Sequence, residues 1–156
     1  MSIIFRKNKH VFIINSQGGS GKDTFVKLVN THVPAANYSS VDEIKNIAMM
    51  LGWDGGKTVK DRRFLSDLKT LSTNYNDKPY IELIYKITNF MCCSKNENLL
   101  FVHIREPKEI ERTVEFCKRH NIPINTVFIN NNKTKNISYG NEADDNVSDY
   151  IYMITM

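Results

Sequence analysis

Val11-Phe-Ile-Ile-Asn-Ser-Gln-Gly-Gly-Ser-Gly-Lys-Asp-Thr24 passes from a short apolar run straight into a glycine cluster. The run, Val11 to Asn15, is β-branched and aromatic, which predicts a buried strand. Gly18, Gly19 and Gly21 then mark a tight loop. Phe25, Val26, Leu28 and Val29 recur at helical spacing up to about His32, and Pro34 stops continuation. The predicted order is strand, glycine loop, helix.

That order gives the loop a chemistry. Three glycines let the main chain turn its N–H groups inward around an anion, and the helix starting near Lys22 adds the positive end of its dipole. Ser16 to Thr24 is close to the phosphate-binding pattern G-x-x-x-x-G-K-[ST], in the strand-to-helix context the pattern requires. Gly18, Gly19, Ser20, Gly21, Lys22, Asp23 and Thr24 are the expected phosphate-binding residues, with Lys22 reaching the terminal phosphates. Two positions depart from the pattern. Ser16 replaces the first glycine and Asp23 replaces the hydroxyl residue that sits on magnesium, so Thr24 comes one place late. Asp23 and Thr24 are therefore the candidate metal contacts. A ligand-free glycine turn explains Gly-Ser-Gly-Lys after a buried strand less well.

Outward from the loop, the pattern alternates. Asn37 to Ser39 predicts a second strand, and Ser40 with Glu43 predicts a capping box for a helix carrying Ile44, Ile47, Ala48 and Leu51, with Gly52 as its stop. A loop, Trp53 to Thr58, leads to a helix near Lys60 to Asn74, with Phe64, Leu68, Leu71 and Tyr75 as its apolar stripe. Another helix spans Pro79 to about Met91. Leu99 to Ile104 reads as a buried strand, and Glu106 and Pro107 open a helix turning Ile110, Val114 and Cys117 inward. Ile124 to Ile129 and Tyr150 to Ile154 complete five strands. Strands alternating with helices predict an α/β fold with a mostly parallel sheet and helices on both faces.

The chain of 156 residues suits one domain, and 41% hydrophobic with 24% charged residues is globular composition. No apolar run approaches the roughly 20 residues of a membrane span, and Met1 to His10 lacks the apolar core of a secretory signal. Cys92, Cys93 and Cys117 carry no CxxC spacing and read as reduced thiols, so the expected location is cytoplasmic. The net charge of +4 is mild and suits phosphate binding and weak nucleic-acid contact alike, so charge alone decides nothing; the basic residues are spread along the chain without the aromatic-interleaved patch of a single-strand binder, which argues against nucleic acid.

The whole order of segments resembles the nucleoside monophosphate kinase group of P-loop proteins, nearest to phage-type deoxynucleoside monophosphate kinases and animal phosphomevalonate kinase, whose loops also contain Gly-Lys-Asp. Gly21-Lys22-Asp23-Thr24 carries the resemblance most specifically. Val41-Asp-Glu-Ile-Lys45 resembles an Ala-Asp-Pro-Leu-Lys element, Ile104-Arg105 ends the third strand, and Ala143-Asp-Asp145 precedes the last. The resemblance implies a three-layer P-loop kinase fold with a five-stranded sheet, a helical acceptor-binding region near residues 40 to 92 and a lid near residues 130 to 142. It implies ATP with Mg2+ as phosphoryl donor and a nucleoside or deoxynucleoside monophosphate as acceptor. A small phosphorylated metabolite is the alternative acceptor.

Phosphoryl transfer is catalysed mainly by positioning and charge neutralisation, so basic residues near the loop are the next candidates. Arg105, ending a buried strand at the mouth of the cleft, is expected to act with Lys22 on the phosphates. Arg62, Ser66, Lys69 and Thr73 are spaced to share one polar helix face, which makes Arg62 and Lys69 acceptor-binding candidates or members of a solvated surface. Asp42 and Lys45 join the acceptor set through the resemblance alone. Lys133 and Lys135 would lie in the lid. Trp53 and Tyr75 either stack a base or pack in the core or at its rim. His103 stands where the resembled group has a magnesium-orienting aspartate. Neutral imidazole is a poor magnesium ligand, so His103 reads as a satisfied core histidine, and a nucleotide-binding module with impaired catalysis is a third reading.

Overall fold

The computed structural model describes residues 8–16 and 21–129. Within them four strands, β1 (His10–Asn15), β2 (Ala35–Ser39), β3 (Leu99–His103) and β4 (Ile124–Phe128), form one sheet in the order β2-β3-β1-β4. Every strand pair is parallel, with Val11 opposite both Leu100 and Ile124. The fold is α/β with a parallel sheet, as alternation required. The fifth predicted strand, Tyr150 to Ile154, lies outside the described residues, so the described sheet has four strands, not five.

Five helices connect the strands: α1 (Lys22–Asn30), α2 (Asp42–Met50), α3 (Val59–Asn76), α4 (Lys78–Cys93) and α5 (Pro107–Arg119). The two central strands, β1 and β3, are apolar on both faces because both are covered. On one face Val11, Ile13, Leu100, Val102 and Ile104 pack against Leu83, Ile87 and Met91 of α4 and Ile110 and Cys117 of α5. On the other, Ile14 and Phe101 meet Val26 and Phe25 of α1. Each fully buried Ile or Leu contributes about 1.5–3 kcal/mol relative to exposure. No helix among the described residues is long and apolar enough to cross a membrane.

Two local expectations are corrected. Ser40 and Glu43 make no capping box: α2 starts after Val41 without a side-chain cap, Ser40 is buried, and Asp42 Oδ2 instead accepts the Ser39 N–H at 2.8 Å. The capping box belongs to α3, where Thr58 and Asp61 satisfy each other's backbone N–H groups. The apolar stripe of α3 is also rotated away from the core. Leu71 and Tyr75 are 67% and 86% exposed, while the inward face consists of Leu65, Leu68, Lys69 and Ser72. The helix lies over α2 and α4 instead of over the sheet, and Lys69 on its inward face meets Glu106 and Glu109. Gly52 ends α2 as expected, at φ +94.

Candidate functional site

A parallel sheet points the carboxyl ends of β1 and β3 the same way, and the polar residues that follow them gather there. Asn15 ends β1 and Ser16 follows it, fully buried. Gly21 adopts φ +95 as the N-cap of α1, a left-handed conformation that glycine takes without steric cost. Lys22 folds back from the first turn, and its Nζ donates to Ser16 Oγ at 2.8 Å. The two ends of the loop are thus tied together. Gly18, Gly19 and Ser20 lie outside the described residues.

Arg105 follows β3 and comes close enough to Lys22 for the two cations to oppose each other. Burial first, and then Arg105, lower Lys22 to about 8 against the partial relief given by Asp23. Asp23 is exposed on the first turn of α1, as is Thr24 beside it. The expected phosphate contacts Lys22, Asp23 and Arg105 are therefore brought together at one edge of the sheet.

His103 sits beneath them, on the α1 face of β3, at 9% exposure. Its Nε2 lies 2.5 Å from Asn37 Oδ1 of β2. Burial leads in depressing it to about 4; Asp23 and Asp42 pull the other way and Lys22 and Arg105 reinforce the drop. The ring is neutral near pH 7 and donates to the Asn37 carbonyl, the satisfied role the sequence implied. Asn37 could not be paired with it from sequence, because only the register that sets Asn37 opposite Phe101 puts His103 one diagonal step away.

The acceptor candidates disperse. Asp42 accepts from Ser39 N–H and holds Lys45 at 3.0 Å in a half-exposed pair at the start of α2. Arg62 is half-buried and its Nε donates to the Lys57 carbonyl at 3.3 Å. Lys69 is buried and bonded to Glu106 and Glu109. Arg62 and Lys69 turn inward while Ser66 and Thr73 face solvent, so the four do not share one polar face. An open concavity of about 440 Å³ lies between α1 and β2, lined by Asp23, Val26, Lys27, Asn30, Ala35 and Asn37. None of the acceptor candidates lines it. Lys133 and Lys135 lie outside the described residues. Tyr75 is 86% exposed, and Trp53 is half-buried with its Nε1 unbonded.

Among the described residues no group of three His, Cys, Asp or Glu side chains forms a cage for a metal ion. Asp23 and Thr24 offer one carboxylate and one hydroxyl. That suits an ion that arrives on a polyphosphate and keeps most of its waters, since magnesium needs only one or two protein oxygens there.

No protein-family model matches the chain, and no curated protein matches its sequence significantly.

Proposed function

We propose that the protein is a P-loop phosphotransferase that binds the phosphates of MgATP on Ser16 to Thr24 and transfers the terminal one to a nucleoside or deoxynucleoside monophosphate. One observation carries the reading: Lys22 bridges back to Ser16 beside Arg105, at the carboxyl edge of a parallel sheet and at the start of a glycine-capped helix. Two cations held together against their own repulsion and partly dehydrated favour a polyanion. The α1 dipole adds to that field.

In this reading Lys22 and Arg105 neutralise charge on the transferred group, and the acceptor approaches from the side of β2, β3 and α2. A charge-assisted hydrogen bond of this kind is worth about 1.5–3 kcal/mol. ADP release from MgATP, measured with each common nucleoside and deoxynucleoside monophosphate and with phosphorylated alcohols, tests the activity. Stimulation by a nucleotide supports the proposal, and stimulation by a phosphorylated alcohol alone moves the acceptor class. No stimulation by either overturns transfer.

A second reading has its own observation. His103 is neutral and already bonded to Asn37, so β3 supplies no carboxylate for the magnesium ion. ATP binding by calorimetry with no transfer to any acceptor would favour a nucleotide-binding module.

A further inference from the structure

On the α4 and α5 side of the same sheet edge, three ionisable groups meet, two of them nearly out of reach of water. Lys69 projects from mid-α3 with 11% of its side chain exposed; its Nζ lies 2.7 Å from Glu109 Oε2 and 2.8 Å from Glu106 Oε2. Ser40 Oγ accepts from the same ammonium at 3.4 Å. Glu109 is 10% exposed and Glu106 38%. The remaining Glu109 oxygen, Oε1, is buried without a hydrogen-bond partner, and the Oε2 atoms of both glutamates converge on the one Lys69 ammonium.

Two ionised carboxylates against one ammonium leave an unbalanced negative charge in a dry site, a costly state. A proton on Glu109 Oε1 removes that charge. It also turns an orphaned acceptor into a donor. We propose that Glu106 and Glu109 hold a single proton between them above Lys69, and that this proton-bridged clasp fastens α3 to the β3–α5 turn and loosens when the proton leaves. Glu109, the deeper residue, carries the proton, and the better-solvated Glu106 carries the charge.

The surrounding groups leave that proton where it is. Tyr38 of β2 is held far above the ordinary phenol range, by burial first and then by Asp42, Glu43, Glu82 and Glu109. Tyr80 of α4 is raised mainly by burial, and Arg112, one turn further along α5, is engaged by Asp77 at 2.5 Å. Burial and then Glu106 push Glu109 up to about 7 against the pull of Lys69. Burial acts on Glu106 in the same direction, but Lys69 and the bond from Glu109 hold it below the ordinary carboxylate range. Because the folded protein binds the Glu109 proton more tightly than the unfolded chain does, this contribution to stability is present below pH 4.5. It is lost as pH rises from there through about 7.

The test uses the full chain without ligand, so its outcome is separate from that of the kinase reading. Side-chain carboxyl 13C shifts, assigned with Glu106→Gln and Glu109→Gln, are followed against pH. One carbon titrating near neutrality and its neighbour below the ordinary range support the shared proton; both in the ordinary carboxylate range overturn it. Amide exchange in α3, corrected for intrinsic rates, is then compared at about pH 6 and about pH 8, either side of the midpoint. Several-fold faster exchange at the higher pH in the wild type, and none in Glu109→Gln, supports the clasp. An equal increase in both proteins overturns it.

Discussion

Replacing Lys22 with Met separates what the residue does for a ligand from what it costs the fold. Lys22 is lowered from 10.5 to about 8 by burial and by Arg105, a gap worth at most about 3 kcal/mol at ~1.36 kcal/mol per pH unit. Its folded value lies below its unfolded one, so the cost is fully present below pH 8 and disappears as pH rises from about 8 to 10.5. Methionine keeps much of the apolar stem and removes the charge, at the loss of the bond to Ser16, about 1 kcal/mol. The ligand-free variant should be more stable than wild type by about 2 kcal/mol at neutral pH, or about 4–8 °C in Tm for a domain of this size. The effect on ATP should be opposite. If Lys22 supplies a charge-assisted bond, affinity falls about a hundredfold, and stabilisation at an ATP concentration that is about a hundred times the wild-type Kd drops from about 2.7 to about 0.4 kcal/mol. Thermal unfolding with and without MgATP, at neutral and alkaline pH, reads both effects. A ligand-free variant less stable than wild type, or an undiminished ATP shift, would refute the reasoning.

His103 should make the protein acid-sensitive. Its folded value near 4 lies below the ordinary 6.5, so up to about 3 kcal/mol of stability is lost as pH falls from 6.5 through 4; urea titrations across that window should show the loss in wild type and not in His103→Asn. Arg105→Ala should weaken ATP binding at least tenfold by calorimetry and raise Lys22 back toward its ordinary value, because a neighbouring like charge is gone. Ile87→Ala, at a fully buried position of α4, should cost about 2–5 kcal/mol in chemical denaturation and leave the ATP shift unchanged.

The sheet was legible because its information is local. Val11 to Asn15 and Leu99 to Ile104 are apolar on both sides of the pleat, which only a doubly covered strand requires, and Gly52 and Pro107 mark helix boundaries through constraints on φ alone. The loop ends were legible for the same reason, since glycine, lysine and strand-to-helix context all lie within one short stretch. What lay beyond sequence was rotation about a helix axis. For α3 the apolar periodicity Phe64, Leu68, Leu71, Tyr75 and the pattern Leu65, Leu68, Lys69, Ser72 are both helical stripes, about one residue apart. Hydrophobicity selects the first and the fold selects the second.

Lys69 decides between them, and the reason is energetic. Turning the first stripe inward would bury more apolar surface, at about 25 cal/mol per Å². It would also swing the Lys69 ammonium away from Glu106 and Glu109, leaving the single negative charge of that pair without its counter-charge and the Glu109 carboxyl without its partner. Breaking a buried ion pair from one side costs about 3–5 kcal/mol, comparable with burying one or two large side chains. The signal for this was present at a distance: Glu106 and Glu109 stand three apart at the start of α5, so they share a face, and that face also carries Ile110 and Thr113 inward. Two glutamates side by side on the inward side of an amphipathic helix call for a proton, a cation from elsewhere in the chain, or both. The polar position of α3 flanked by half-buried leucines is where the fold provides the cation.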